Sequence, residues 1–322
     1  GGTGGTAGSG TGGGGGAAGG TAGGATGGFG GFEGVVTPIP AVPANGVTSL
    51  DWGDAKDAWK TLGMNVDGLT STVASTDHCA LVPGTKPGDV LVDGQNGIDN
   101  SFAHNVVPIF TGLDSSFSTW SEYAIGDGGD TLALLPLGTG SDPASFPLAI
   151  VRANGGSVPG TQAWKAFADE VSSTSPLIVG AQFPGGTKTG STVSSGITGG
   201  VVIVPMTWNG YPAALRVYGA RTTLAFAPDA TAKGILGGWL KTDELTDEIK
   251  RVGGMISTQL CSGSAAEGVK AQLEMASDIL DDGTQSPNKT CNGISFGIGF
   301  KTKPGVVDGT FTRAPAPDTC AN

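Results

Sequence analysis

Basic residues are scarce in this sequence and never form a run. Lys and Arg together number 17 against 28 Asp and Glu, which gives a formal net charge of −11. A nucleic-acid backbone is bound by clustered Lys and Arg that displace counterions, so this composition argues against nucleic-acid binding. The chain also lacks the roughly 20 consecutive apolar residues of a membrane helix. Its longest apolar runs, such as Val201–Met206, are strand-sized, so we expect no transmembrane segment.

Histidine is equally scarce, which limits the catalytic mechanisms that the sequence can support. The two histidines, His78 and His104, have no i, i+4 partner that would make a helical metal pair. Gly293–Gly297 matches the G-x-S-x-G pattern around Ser295, but a nucleophile elbow needs a strand, a turn and a helix, followed by a histidine. Both histidines precede Ser295, and the apolar pattern after it continues as a strand. We therefore predict no serine-hydrolase triad and an outward-facing Ser295.

Glycine, in contrast, dominates the first 34 residues, where it fills 20 positions and Glu33 is the only charge. Such a segment buries too little surface to offset the entropy of ordering it, so we predict a flexible stalk over 1–34. Residues 35–322 have the size of one large globular domain. A chain that starts in such a tract is typical of a protein whose export signal has been removed. We expect an extracellular or outer-surface protein, with lipid anchoring through a residue before Gly1 as a hypothesis.

The four cysteines are widely spaced and lack the C-x-x-C intervals of zinc sites, so we predict two disulfides in an exported protein. They are Cys79, Cys261, Cys291 and Cys320. Three pairings are possible. We favour Cys261–Cys291, because the segment between them resembles a helix and its return loop, which leaves Cys79–Cys320.

Strand-like segments separated by Gly, Pro, Asn and Asp fill the middle of the chain. Residues 162–171 contain a helix-like fragment, Asp51–Leu62 resembles one short helix, and the three prolines of Val35–Asn45 favour an extended segment laid over the body. The predicted strands are Thr131–Leu137, Pro147–Val151, Pro176–Phe183, Gly200–Trp208, Ala213–Tyr218, Arg221–Ala227 and Gly293–Thr302.

Two amphipathic helices are predicted near the C-terminus. The first begins at Thr242, which is followed by two acidic residues and by apolar residues spaced by three and four. The second begins at the capping box Ser264–Glu267. We therefore predict a mainly β fold, with two packed sheets in a sandwich or jelly roll and a helical hairpin over about 242–282.

The segment DGQNGIDN concentrates oxygen ligands and glycine on a short loop, which is the chemistry that calcium selects. Its candidate ligands are Asp93, Asn96, Asp99 and Asn100. The spacing departs from that of an EF-hand, and calcium needs six to eight oxygens, so other loops would have to contribute. Asp-Gly and Asn-Gly are also the commonest turn dipeptides. A calcium site and a shaped turn are thus both open, and the two can coexist.

Six tryptophans in an acidic, β-rich exported chain suggest carbohydrate binding, because their rings stack on the apolar faces of sugars. Trp120, Trp164 and Trp208 lie in or beside predicted loops and are the candidate ligand-binding residues. The alternative is that these rings fill the core, as aromatic residues usually do.

The Gly-rich stalk and the segments DGQNGIDNSF and SDILDDGTQSPNKTCNGISFGIGF resemble exported, lipoprotein-like proteins of myxobacteria and related bacteria, over most of Asp51–Cys320. The resemblance implies export and supports a paired Cys261–Cys291 segment. It implies no catalytic residue and no substrate.

Three functions follow as hypotheses. The leading one is a non-enzymatic surface protein that binds an extracellular ligand, foremost a glycan, on loops around Asp93–Asn100. The alternative is a structural subunit of an extracellular fibre or coat, in which copies of the chain order one another's Gly-rich tracts. The third is a glycoside hydrolase that uses a pair of carboxylates.

Overall fold

The computed structural model describes residues 34–137, 144–155, 162–171, 180–197, 200–315 and 318–320. They form the mainly β protein that the sequence predicts, and residues 1–33 of the predicted stalk lie outside them. Hydrogen bonds link eleven strands into one mixed sheet, so the two separate sheets of a sandwich are not confirmed. In the described ranges no helix has both the length and the apolar character needed to cross a membrane.

The strands in chain order are β1 (Gly34–Asp51), β2 (Asp130–Pro136), β3 (Leu148–Gly155), β4 (Ala163–Phe167), β5 (Ala181–Phe183), β6 (Thr187–Thr189), β7 (Thr192–Ser194), β8 (Val202–Trp208), β9 (Tyr211–Phe226), β10 (Ala232–Lys241) and β11 (Gly293–Arg313). The helices are α1 (Pro87–Val90), α2 (Val107–Leu113), α3 (Phe117–Gly126), α4 (Thr242–Ile256) and α5 (Ser264–Met275). The last two helices are those that the sequence predicts between 242 and 282.

Five strands close on one another in a circle. β1 pairs with β2, β2 with β3, β3 with β4, β4 with β11 in parallel, and β11 with β1 again. We call these five strands the closed strand ring. The first half of β11 leaves the ring to pair with β10, which continues the sheet through β9 to β7 and β6.

The closed strand ring has its own core around Trp164. Gly46 and Gly305 lie against the indole, so close that a Cβ on Gly46 would stand 2.1 Å from its ring atoms. The other core residues are small or aliphatic and come from all five strands and from the residue that ends the described segment after β4. They are Ala44, Ala133, Leu135, Ala149, Val151, Ala153, Ala166, Val171 and Val307.

A larger core covers the outer face of the ring. Because side chains alternate along a strand, Leu132 and Leu134 of β2 point into this larger core while their neighbours point into the ring. The core is completed by α2, α3, α4, α5 and β8–β11. Trp208 and Phe110 meet here, with ring centroids 5.5 Å apart.

Two local predictions are wrong and one is extended. The helix-like fragment at 162–171 contains strand β4, because its alternating buried residues fill the closed strand ring. Asp51–Leu62 forms just one 3-10 turn, Ala58–Lys60. The two strands predicted at 213–218 and 221–227 are one strand, β9.

The four cysteines form two disulfides, Cys79–Cys291 and Cys261–Cys320. The favoured pairing of Cys261 with Cys291 is therefore wrong. The chain around Cys291 runs beside residue 80, with Ala80 N–H donating to Lys289 O at 2.8 Å and Cys291 N–H to Ala80 O at 2.9 Å. This local pairing brings Cys79 to Cys291, while the C-terminal tail returns to the turn after α4.

Candidate functional site

The predicted calcium loop is folded into a network of hydrogen bonds. Asp99 is buried, and its Oδ2 accepts the Val66 N–H at 2.6 Å and the Asp67 N–H at 3.3 Å. Asp93 accepts the N–H of Ser71. Burial raises the pKa of both Asp93 and Asp99, and the hydrogen bond from the Ser71 N–H opposes this shift at Asp93. The pair therefore retains a proton where isolated carboxyl groups would be ionised.

Asn100 connects three segments of the chain. Its Nδ2 donates to Leu62 O and, at 3.0 Å, to Gly297 O. Its Oδ1 accepts the N–H groups of Ala103 and Gly297, each at 3.0 Å. With every donor and acceptor of the amide used inside the protein, Asn100 acts as a structural clamp. Asn96, in contrast, is exposed and adopts a left-handed turn conformation with φ 58°.

Ser295 completes the network from strand β11. The prediction that it faces outward is wrong, because Ser295 is fully buried. Its Oγ donates to Asp278 Oδ2 and accepts the Ser101 N–H at 2.8 Å, and its own N–H donates to Asp278 Oδ1 at 2.8 Å. Burial raises the pKa of Asp278 to about 7. We call Asp93, Asp99, Asn100, Ser101, Asp278 and Ser295 the polar network.

The polar network encloses a cavity of about 10 Å³, whose walls include Trp59 and His104, stacked with centroids 4.1 Å apart. That space accommodates about one water molecule. A glycosidase holds its two carboxyl groups at least ~5 Å apart to admit substrate, and a cavity of this size leaves no room for a sugar ring at Asp93 and Asp99. In the part of the chain that the structure describes, no group of three or more His, Cys, Asp or Glu could hold a metal ion. The calcium site stays a prediction.

Two of the three predicted ligand-binding tryptophans are core residues. Trp164 fills the closed strand ring and Trp208 is 2% exposed in the larger core, so neither ring can stack on a sugar. Trp120 of α3 is partly exposed, and its Nε1 donates to Asp114 Oδ2 at 2.8 Å. Tyr123, one turn further along α3, is 59% exposed. We call these two side chains the α3 aromatic face.

A groove of about 320 Å³ opens beside the polar network, between α1, α2 and α5. We call it the α1–α5 groove. Its floor is aliphatic and its other lining residues carry hydroxyl, amide, amine and carboxylate groups. The lining residues are Gly84, Thr85, Lys86, Asp89, Val90, Asn105, Ile109, Gln272, Met275 and Ala276.

Asn105 connects the groove to the polar network. Its Nδ2 donates to Ser101 Oγ at 2.9 Å and to Asp89 O at 3.0 Å. Both amide hydrogens are thus used, and Oδ1 is left to accept from a ligand. The hydroxyl of Ser101 in turn donates to Ala276 O in the groove wall.

Thr85 supplies a polar atom that the protein leaves unpaired. Its Oγ1 is buried, and among the described residues it has no hydrogen-bond partner. Buried polar atoms are nearly always paired, so this hydroxyl is an exception. Because the protein covers it, a ligand in the open groove does not reach it.

Sequence reasoning missed this groove, because its residues come from three distant segments of the chain. Lys86-Pro87, with Pro at the start of a short helix, was the available local signal. Comparison of the chain with protein-family models, with curated proteins and with solved structures gives no match.

Proposed function

We propose that this is an extracellular, non-enzymatic protein that binds a glycan in the α1–α5 groove. The observation that most supports this proposal is the groove itself. Its volume is about 320 Å³, within the range of small-molecule sites, and hydrogen-bonding side chains surround its aliphatic floor. Hydroxyl, amide and carboxylate groups are suited to sugar hydroxyls, which both donate and accept hydrogen bonds. The two disulfides and the acidic surface support an extracellular setting.

Binding is favoured over glycoside hydrolysis by the position of the carboxyl groups. The Asp93–Asp99 pair faces a cavity that holds about one water, so a sugar ring cannot reach it. Among the described residues that line the groove, Asp89 is the single acidic one, whereas the usual hydrolytic mechanism uses two.

The α3 aromatic face is the alternative position for the same ligand. An exposed Tyr123 beside a partly exposed Trp120 would provide stacking on a sugar face. Substitutions at the two surfaces separate these positions, because Gln272 of the groove and Tyr123 of α3 are both exposed and can be changed without opening a core.

The test is a glycan array on the full chain, followed by calorimetric titration of the best glycan. We expect Gln272→Ala to weaken binding several-fold through loss of one or two hydrogen bonds. Lys270→Ala, a change at a partly exposed residue on the same helix outside the groove, is the matched control and should have no effect on binding. Loss of binding in Tyr123→Ala, with Gln272→Ala unchanged, would move the site to the α3 aromatic face. Failure of every glycan to bind would reject the proposed function.

The exposed part of β1 argues against self-association through strand pairing. Val35 and Val36 are 70% and 44% exposed there, but Pro38, Pro40 and Pro43 follow on the same strand. Proline lacks the N–H that strand addition requires, and it protects strand edges from pairing. Electron micrographs of the purified chain that show fibres would reverse this preference.

A further inference from the structure

We propose that the α1–α5 groove recognises the acetamido group of an N-acetylated sugar. This inference rests on the proposed glycan-binding function and names the substrate class of the same site.

The floor of the groove indicates which apolar group the ligand has. It consists of the aliphatic side chains of Val90, Ile109, Met275 and Ala276, and none of the groove-lining residues in the described chain is aromatic. An unsubstituted sugar offers its apolar C–H face chiefly to aromatic rings, which this floor lacks. A methyl group, in contrast, is buried favourably against aliphatic side chains. The apolar part of the ligand is therefore a small aliphatic substituent.

The polar groups of the groove indicate which hydrogen-bonding groups the ligand has. Asn105 has used both of its amide hydrogens, so it offers only an acceptor, which requires a donor such as an amide N–H. Gln272 lines the groove and is exposed, so its side-chain N–H can donate to a carbonyl oxygen. An acetamido group supplies the N–H, the carbonyl and the methyl together. The exposed Lys86 and Asp89 are left to bind the sugar hydroxyls.

The net charge of the protein favours the opposite preference, so a preference for the acetylated sugar would be informative. At a net charge of −11, the chain attracts a deacetylated amino sugar, which is cationic. Electrostatic attraction thus works against the proposed selectivity, and a preference for the acetylated ligand has to come from the groove.

The experiment is a calorimetric titration of the full chain at about 150 mM salt, where the Debye length is about 8 Å. The probes are the trimer of N-acetylglucosamine, the glucosamine trimer and the glucose trimer with the same β-1,4 linkage. We expect the acetylated trimer to bind at least roughly tenfold more tightly than the other two, as expected for the combined loss of a buried methyl and its hydrogen bonds. Gln272→Ala should reduce this preference, while Lys270→Ala, on the same helix outside the groove, should preserve it.

The outcomes distinguish the two proposals. Equal affinity for the three trimers would overturn acetamido recognition and leave glycan binding intact. Selective binding of the acetylated trimer that Gln272→Ala leaves unchanged would place the recognition elsewhere and overturn the assignment to this groove. If none of the trimers binds while the array yields another glycan, acetamido recognition fails and the proposed function stands. If the array yields nothing either, both fail.

Discussion

The closed strand ring and the polar network are two interiors of one protein, built on opposite principles. The ring is filled by one tryptophan among small aliphatic residues, and its indole Nε1 has no partner among the described residues. The polar network instead buries carboxyl, amide and hydroxyl groups, with the amide of Asn100 fully hydrogen-bonded. Apolar burial requires complementary shape, whereas buried polar groups also require defined hydrogen-bond partners.

This difference indicates where the protein interacts with other molecules. Among the described residues, the interior of the ring is filled by Trp164, which is fully buried. The polar network fixes the loop after β1 against α5 and β11, and the α1–α5 groove opens at this junction, where Asn105 donates to Ser101. We infer that the network orients the groove and the ring supports the sheet.

The largest expected effect is in the ring. Trp164→Ala should lower the free energy of unfolding by about 3–5 kcal/mol, because it leaves a cavity between Gly46 and Gly305. Trp164→Phe is the control: it loses no hydrogen bond and less volume, so it should cost clearly less. Urea unfolding measures both. Equal, small losses would show that the indole does not fill the ring.

In the polar network, we expect substitutions to lower the free energy of unfolding through lost hydrogen bonds rather than through lost volume. Asn100→Ala leaves up to four buried backbone groups unpaired, so we expect a loss of about 2–4 kcal/mol. Asn96→Gly, in the same loop, places glycine where φ is already positive and should change stability by less than about 0.5 kcal/mol. Comparable losses in the two variants would mean that the whole loop, and not the clamp, determines stability.

The network should also make stability depend on pH. Because burial raises the pKa of Asp99 and Asp278, the folded state binds more protons than the unfolded state above pH ~4, so stability falls as pH rises from there through neutral pH. Asp99→Asn cannot ionise and should reduce this fall by up to about 1.4 kcal/mol per pH unit. Thermal melts from pH 5 to pH 9 test this, and parallel curves for the two proteins would contradict it.

The smallest expected effect concerns calcium. The backbone already donates to Asp93 and Asp99, so we expect melts in excess calcium and in EDTA to agree within about 1 °C. A rise of several degrees that Asp93→Ala abolishes would instead establish the predicted cation site.

The sequence predicted what local patterns determine. The helices at 242–256 and 264–275 follow from capping and spacing, and the strands around 130–136, 148–155 and 202–208 follow from apolar runs bounded by turn residues. The mainly β class follows from the same patterns.

What long-range pairing determines could not be predicted. Trp164 was assigned to ligand binding because its enclosure depends on glycines 118 residues before it and 141 after it, in β1 and β11. The disulfide partner of Cys291 depends on a bridge to residue 80. The segment around Asp93–Asn100 was recognised as unusual, but Asp278 and Ser295 of the same network lie roughly 180 to 200 residues further along the chain, so a clamp could not be distinguished from a metal loop.

The most direct measurement for the groove is Gln272→Ala, followed by both melting temperature and affinity for the glycan that the array identifies. Gln272 is exposed, so its truncation should leave the melting temperature nearly unchanged. The same change should weaken ligand binding several-fold, because the ligand loses a hydrogen-bond partner. An unchanged affinity, or a loss of affinity that accompanies a loss of stability, would contradict the assignment of the groove as the binding site.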